Sequence, residues 1–221
     1  MDSMFKNILE SDISVIVLEE VDMSAKNLIT DIVDHKKCKN YSNWKNYFKR
    51  IKETTQDMSS QLAGSLAMFL IVDRSLQIIN EHIEWKTINL ALKDYLGNKS
   101  AIGLSIELKE QRLCFIGCHL PAHEERLEER NKAIKTIKKE IRFQSNRKKI
   151  ADHDSVIWAG DFNYRLVGPE SYILGLIEEN DYKKLAKLDQ LKENWTSIIP
   201  EYCESALKFE PTFKYRPNTD S

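Results

Sequence analysis

Val156-Ile157-Trp158-Ala159-Gly160-Asp161-Phe162-Asn163-Tyr164-Arg165 runs from four apolar residues straight into a Gly-Asp-x-Asn turn, a phenol and a guanidinium. The apolar half reads as a buried β-strand, and the polar half sets a carboxylate and an amide at its end, where the backbone holds them rigidly. Two other apolar runs finish the same way. Ser14-Val15-Ile16-Val17-Leu18 meets Glu19-Glu20, and Leu113-Cys114-Phe115-Ile116-Gly117-Cys118 stops at His119. Strands that each end in a titratable or amide group predict a site at one edge of their sheets.

The segments between these runs predict how they are layered. Leu66 to Val72 has the composition of a fully buried strand, whereas Ile102 to Leu108 alternates like a half-buried one. Helices are expected from Ser24 to Asp34, through Trp44, Tyr47, Phe48 and Ile51, and from about His123 to Arg142. In the last of these Leu127, Ile134, Ile137 and Ile141 mark one face, with acids in the first turn and bases in the last turns, as the helix dipole prefers. Ser171 to about Asn194 also reads as helical. Alternating strands and helices predict a layered α/β sandwich.

Composition narrows the function classes. The chain has 221 residues, 33 Lys plus Arg against 34 Asp plus Glu, a net charge of −1 and 42% hydrophobic residues. A single core can serve this length, and no repeat or linker divides it, so one domain over 1–221 is expected. Balanced charge gives no global field for nucleic acid. Cys38, Cys114, Cys118 and Cys203 lack C-x-x-C spacing, which predicts neither zinc nor a redox pair but a reduced, cytoplasmic protein. No apolar run nears the ~20 residues that span a bilayer, and the start of the chain does not read as a secretory signal.

Taken together, Glu19-Glu20, His119 and Asp161-x-Asn163 form a set suited to metal-assisted phosphate hydrolysis. A hard cation such as Mg²⁺ needs only one or two carboxylates and keeps its waters, so Glu20 with a nearby Asp and Asn is an adequate protein contribution. Each piece alone also reads as ordinary structure. Gly-Asp-x-Asn is good turn chemistry, two acids suit a solvated strand end, and a single His after an apolar strand suits a structural role. Trp158, Phe162 and Phe213 read as packing residues.

The wording of the motifs resembles one family. Trp158 to Arg165 is similar to the W-x-G-D-x-N-Y-R signature of the inositol polyphosphate 5-phosphatases. Asp12 through Val21 resembles that family's D-I-x-V-[IL]-x-F-Q-E-[IV] strand, and Ala25-Lys26-Asn27 follows for A-G-N after a one-residue shortening. Gly97-Asn98-Lys99-Ser100-Ala101 resembles G-N-K-G-A, and Cys118 to Ala122 with Arg130-Asn131 resembles S-H-L-A-A followed by R-N. Asp189-Gln190-Leu191 matches D-Q-L, and Phe209 to Tyr215 matches F-x-P-T-[YF]-K-Y. These matches keep their order across nearly the whole chain.

The resemblance implies a four-layered α/β/β/α sandwich of the DNase I-like type and hydrolysis of the inositol-ring 5-phosphate of phosphoinositides or soluble inositol polyphosphates. It implies Glu20 as a Mg²⁺ ligand, Asp161 as the group that orients or deprotonates water, and Asn163 and His119 on the scissile phosphate. Tyr164, Arg165 and Lys214 would clasp the 4-phosphate, and Asn98 and Lys99 would bind substrate, Lys99 nearer the lipid-side phosphate. It further implies a cytoplasmic enzyme, peripheral at membranes, that does not act on nucleic acid. Departures are Leu18-Glu19 for F-Q, Lys26 and Ser100 for Gly, and Pro121 for Ala. The family's T-x-N-x-[NG] strand, P-A-W-C-D-R-[IL]-L and S-D-H are absent from these residues, so an incomplete site and open sheet margins are expected. A catalytically inactive inositol-phosphate- or protein-binding fragment is the alternative reading, with a nuclease of the same fold behind it.

Overall fold

A computed structural model of the protein describes residues 13–21, 44–50, 65–73, 83–90, 99–108, 111–144 and 149–209. Contacts group the chain into two units, residues 1–121 with 135–162, and residues 122–134 with 163–221.

The first unit contains two sheets. One has the antiparallel order β1-β3-β2, built from Ile13–Val21, Trp44–Arg50 and Ser65–Asp73 taken as β1, β2 and β3. The other has the order β4-β5-β6-β7, from Ile83–Asn89, Ser100–Leu108, Gln111–His119 and Ser155–Asp161. Its pairings are antiparallel except β6 with β7, which run parallel. A parallel pair needs a long crossover, and helix α1, Leu127–Glu140, lies between those two strands in the chain.

Alternate residues of the two central strands make the core between the sheets. Leu66, Met68 and Leu70 of β3 cluster with Ile102, Leu104 and Ile106 of β5, and Val15, Val17, Trp85 and Phe115 pack around them. Burying each such aliphatic side chain is worth about 1.5–3 kcal/mol. On the other face of β3, Ala67 and Phe69 are buried beside their β1 partners Leu18 and Ile16. Behind β5, Ile141 and Phe143 press so closely on Gly103 that an added Cβ would stand 2.9 Å from Ile141 Cγ2. Both central strands are therefore covered on two faces.

Four expectations change here. β5 was expected to be half-buried, yet it is buried from Ser100 through Leu104, because its second face is also covered. Val156 to Ala159 was expected to be buried, yet among the described residues β7 is the outer strand of its sheet and Ile157 is 50% exposed. Trp44 to Arg50 is a strand where a helix was expected. Three aromatic positions in five residues suit either period, aromatics favour strands, and β3 offers an edge whose backbone groups need partners. The long helix is α1, preceded by a 3₁₀ turn over Glu124–Arg126. Sequence reading missed β4, in which charged and apolar residues mix. The helix expected over 24–34 lies outside the described residues.

The second unit holds three further helices. Helices α2 (Glu170–Glu178), α3 (Tyr182–Leu185) and α4 (Gln190–Ile198) divide the helical stretch expected after Ser171. Asp181 and Asp189 cap the latter two, accepting from the amides of Lys184 and Leu191. Among the described residues no helix is long and apolar enough to cross a membrane, and Cys114, Cys118 and Cys203 are free thiols.

Candidate active site

In the first unit, strand register brings the predicted residues to one sheet end. Ser100, His119 and Asp161 are direct partners across β5, β6 and β7, so Asp161 lies on the same pleat as His119 and Lys99 one residue before it. Gly160 makes this possible. It takes φ of +116°, and a Cβ there would lie 2.1 Å from the carbonyl oxygen of Cys118. From the other sheet, β1 pairs regularly with β3 up to Leu18 and then shifts register, leaving Glu19 and Glu20 in the irregular stretch. Such bulges re-aim side chains. Glu20 has a left-handed backbone, φ +54°.

The side chains converge around one nitrogen. His119 Nε2 stands 3.8 Å from Asp161 Oδ2, 3.9 Å from Glu20 Oε1 and 2.5 Å from Lys99 Nζ. His119 is only 2% exposed, while the Glu20 and Asp161 side chains are 69% and 50% exposed. Burial first, and then the Lys99 charge, hold the imidazole below its ordinary pKa, against the pull of Asp161 and Glu20. An ammonium only donates, so Nε2 accepts from Lys99 and the neutral ring carries its proton on Nδ1. Nδ1 is buried without a hydrogen-bond partner among the described residues.

Negative charge accumulates beside this pair. Burial, followed by the charges of Asp161 and Glu20, raises the Glu19 pKa, although the backbone N–H of Asp161 donates to Glu19 Oε1 at 3.2 Å and partly offsets this. Burial likewise drives the Cys118 thiol upward, with Glu19 and Asp161 adding to it, and pushes Cys114 up to about 12. Neither thiol is a nucleophile at neutral pH. Among the described residues no group of three or more His, Cys, Asp or Glu is placed to hold a metal ion. Glu20 and Asp161 are two exposed carboxylates, and a hard cation that keeps several waters asks for only one or two.

The second unit arranges the other predicted residues through side-chain hydrogen bonds. Gln190 Oε1 accepts from Arg130 Nη2 at 2.7 Å and from the backbone N–H of Arg165 at 3.1 Å. Arg165 Nη2 donates to Asn163 Oδ1 at 2.8 Å, and Asn163 has a left-handed φ of +58° that its short side chain tolerates. The Tyr164 hydroxyl donates to Asn131 Oδ1 at 2.7 Å, and Asn131 Nδ2 donates to Asn194 Oδ1 at 3.1 Å. Arg130 is fully buried, lies 5.3 Å from the centre of the Tyr164 ring and donates to the carbonyls of His123 and Glu124. These bonds explain why R-N and D-Q-L accompany N-Y-R.

Glu20, Lys99, His119 and Asp161 are thus together in one unit, and Asn163, Tyr164 and Arg165 together in the other. Asn98 and Lys214 lie outside the described residues. Ser100, substituting for glycine, starts a strand and is buried opposite His119. Sequence reading assigned no role to Arg130, Asn131, Gln190 and Asn194. The available signal was Arg130 itself, a guanidinium four residues before Ile134 on the apolar face of α1. Phe162 packs on Trp158 with ring centres 6.3 Å apart, as expected of a packing residue.

The chain is similar to known proteins. Residues 2–221 match endonuclease/exonuclease/phosphatase family 2. Over 172 residues the chain is 33% identical to the phosphatidylinositol 4,5-bisphosphate 5-phosphatase INP51 of Saccharomyces cerevisiae, covering 77% of this chain and 18% of that protein. It is 29% identical to human synaptojanin-2 over 212 residues, covering 93% of this chain and 14% of that one. The chain therefore spans less than a fifth of the length of either relative. The inositol polyphosphate 5-phosphatase domain of SPsynaptojanin, solved with inositol (1,4)-bisphosphate and calcium, matches with a TM-score of 0.71 at 25% identity, covering 95% of this chain and 61% of that domain. With two packed sheets, polar strand ends and these relatives, the chain has the DNase I-like fold and belongs to endonuclease/exonuclease/phosphatase family 2.

Proposed function

We propose that the protein hydrolyses the 5-phosphate of inositol-ring substrates, phosphoinositides at a cytoplasmic membrane surface and soluble inositol polyphosphates, as a peripheral enzyme. The observation that carries this reading is the convergence of Glu20, Lys99, His119 and Asp161 on one sheet end. The names of the relatives INP51 and synaptojanin-2 and the inositol bisphosphate bound to the SPsynaptojanin domain agree with it. A net charge of −1 favours a small anion over nucleic acid.

Phosphate-monoester hydrolysis is among the slowest uncatalysed reactions, so the site must hold a water in line and cancel charge. Asp161 is the proposed base: its side chain is half exposed and its backbone N–H is tied to Glu19. Mg²⁺ is the proposed cofactor, with Glu20 as its ligand and Asp161 as the other carboxylate in reach, and it would neutralise the phosphate and the leaving oxygen. The three neighbouring carboxylates, whose repulsion contributes to the raised Glu19 pKa, provide the negative field that a cation relieves. His119 and Asn163 serve the scissile phosphate. Tyr164, Arg165 and Lys214 hold the 4-phosphate, for which Arg165 supplies a charge-assisted donor set. Asn98 and Lys99 complete the phosphate contacts.

The test is phosphate release by the full-length protein from inositol 1,4,5-trisphosphate and from phosphatidylinositol 4,5-bisphosphate in vesicles, with Mg²⁺ and after chelation. Metal-dependent production of inositol 1,4-bisphosphate is expected. Saturable binding without turnover would instead assign the protein a binding role.

A further inference from the structure

We infer that Gln190 is a positioning residue for Arg165, and that through Arg165 it sets how strongly the protein prefers an inositol ring with a 4-phosphate to one with a hydroxyl there. The inference rests on the phosphatase reading, which gives Arg165 the 4-phosphate, and deepens it by naming what holds that guanidinium in place.

Arg165 is pinned at both ends. At the backbone, its N–H donates to Gln190 Oε1 at 3.1 Å and its carbonyl accepts from the Gln190 N–H at 3.0 Å. The same short ladder continues where Leu166 bridges Asp189 and where the Val167 N–H donates to the Leu188 carbonyl at 2.8 Å. At the tip of the side chain, Nη2 donates to Asn163 Oδ1 at 2.8 Å. Gln190 is 4% exposed, so its amide cannot turn out to water. Arg130 Nη2 donates to the same Oε1 at 2.7 Å, and two donors together dictate which end of the amide faces Arg165.

A guanidinium held in this way has few rotamers left to lose when a phosphate binds. Immobilising a long side chain on binding otherwise weakens affinity about 2–10-fold, and that factor falls on the 4-phosphate contact. Charge sharpens the preference. Arg130 and Arg165 are near enough that, after burial and against the pull of Tyr164, the Arg165 charge helps to hold the Arg130 guanidinium below its ordinary pKa. A phosphate dianion at ring position 4 relieves that repulsion, whereas a hydroxyl does not.

The experiment compares Gln190→Met with the unmodified full-length protein on inositol 1,4,5-trisphosphate and on inositol 1,5-bisphosphate, which lacks the 4-phosphate. The ratio of kcat/KM for the two substrates should fall about 2–10-fold, through KM for the trisphosphate rather than kcat. Any loss of folded protein scales both substrates alike and cancels in that ratio. An unchanged ratio, with phosphate still released, overturns the inference and leaves the phosphatase reading standing. In an Arg165→Met background, adding Gln190→Met should move the ratio by less than about twofold, and a fall as large as in the single variant would mean that Gln190 does not act through Arg165. Gln190→Glu, which keeps the acceptor, should give a ratio between those of the unmodified protein and Gln190→Met. A ratio at or below that of Gln190→Met removes the hydrogen bond as the cause. A readout independent of turnover is the Kd of inositol 1,4-bisphosphate by calorimetry, expected to rise about 2–10-fold in Gln190→Met. An unaltered Kd refutes the positioning role. If the unmodified protein binds the bisphosphate in this Gln190-dependent way but releases no phosphate from either substrate, the phosphatase reading falls and the positioning of Arg165 stands.

Discussion

His119 and Asp161 owe their places to strand register, whereas Asn163, Tyr164 and Arg165 owe theirs to a side-chain network centred on Gln190. Register is all-or-none. A slip of one residue along β7 would turn Asp161 to the opposite face and break its pairing with His119. A network is graded: each hydrogen bond contributes about 1 kcal/mol, and the cost appears when a buried partner is stranded. The first kind of site tolerates side-chain substitution without unfolding. The second couples function to local stability.

That contrast is open to direct attack, beginning with its largest expected effect. Asp161→Ala should lower kcat for phosphate release by about 10²–10⁴-fold while leaving the melting temperature near that of the parent, because the side chain is half exposed and its position comes from the backbone. Turnover that survives would take Asp161 out of the mechanism. Next is Gly160→Ala, which strikes the register itself. With a left-handed φ and a Cβ 2.1 Å from the Cys118 carbonyl oxygen, it should cost about 3 kcal/mol of stability, measured by urea titration. An unaltered midpoint would mean that β7 can move away from β6 freely.

Gln190→Ala probes the network. It deprives the buried Arg130 guanidinium and the Arg165 amide of a shared acceptor and should cost about 1–3 kcal/mol in the same titration. Gln190→Glu, which retains an acceptor, should lose less, and the reverse order would contradict the role given to Oε1. The smallest effect concerns Glu19. A carboxyl whose folded pKa lies above its ordinary 4.5 contributes stability that is fully present below 4.5 and is lost as pH rises through the raised value. Glu19→Gln should therefore flatten the stability-against-pH curve above pH 4.5 and be modestly more stable at pH 7. A steeper curve in the variant would contradict the raised pKa.

Much of the candidate site was legible because its polar residues follow apolar strands. An abrupt change from Cys118 to His119, or from Ala159 to Gly160-Asp161, is visible without coordinates, and the order of motifs led to the fold. Other features had no one-dimensional signature. Trp44 to Arg50 fits two periods, and only the need of β3 for a second partner makes it a strand. β5 looks half-buried until Ile141 and Phe143 are seen behind it, and β7 looks buried until it is found at the sheet's outer edge. Arg130 and Gln190 stand 60 residues apart, and nothing in their local sequence announces a bond.

The amino-acid sequence alone determined the residue types at each strand end, the α/β alternation and the family, because apolar periodicity and local motifs are properties of neighbours in the chain. Tertiary structure alone decided that Lys99 meets His119 and that Gln190 joins Arg130 to Arg165. Such contacts depend on register and packing between distant segments, and these are settled by the burial and hydrogen bonding of the whole fold rather than by any one stretch of it.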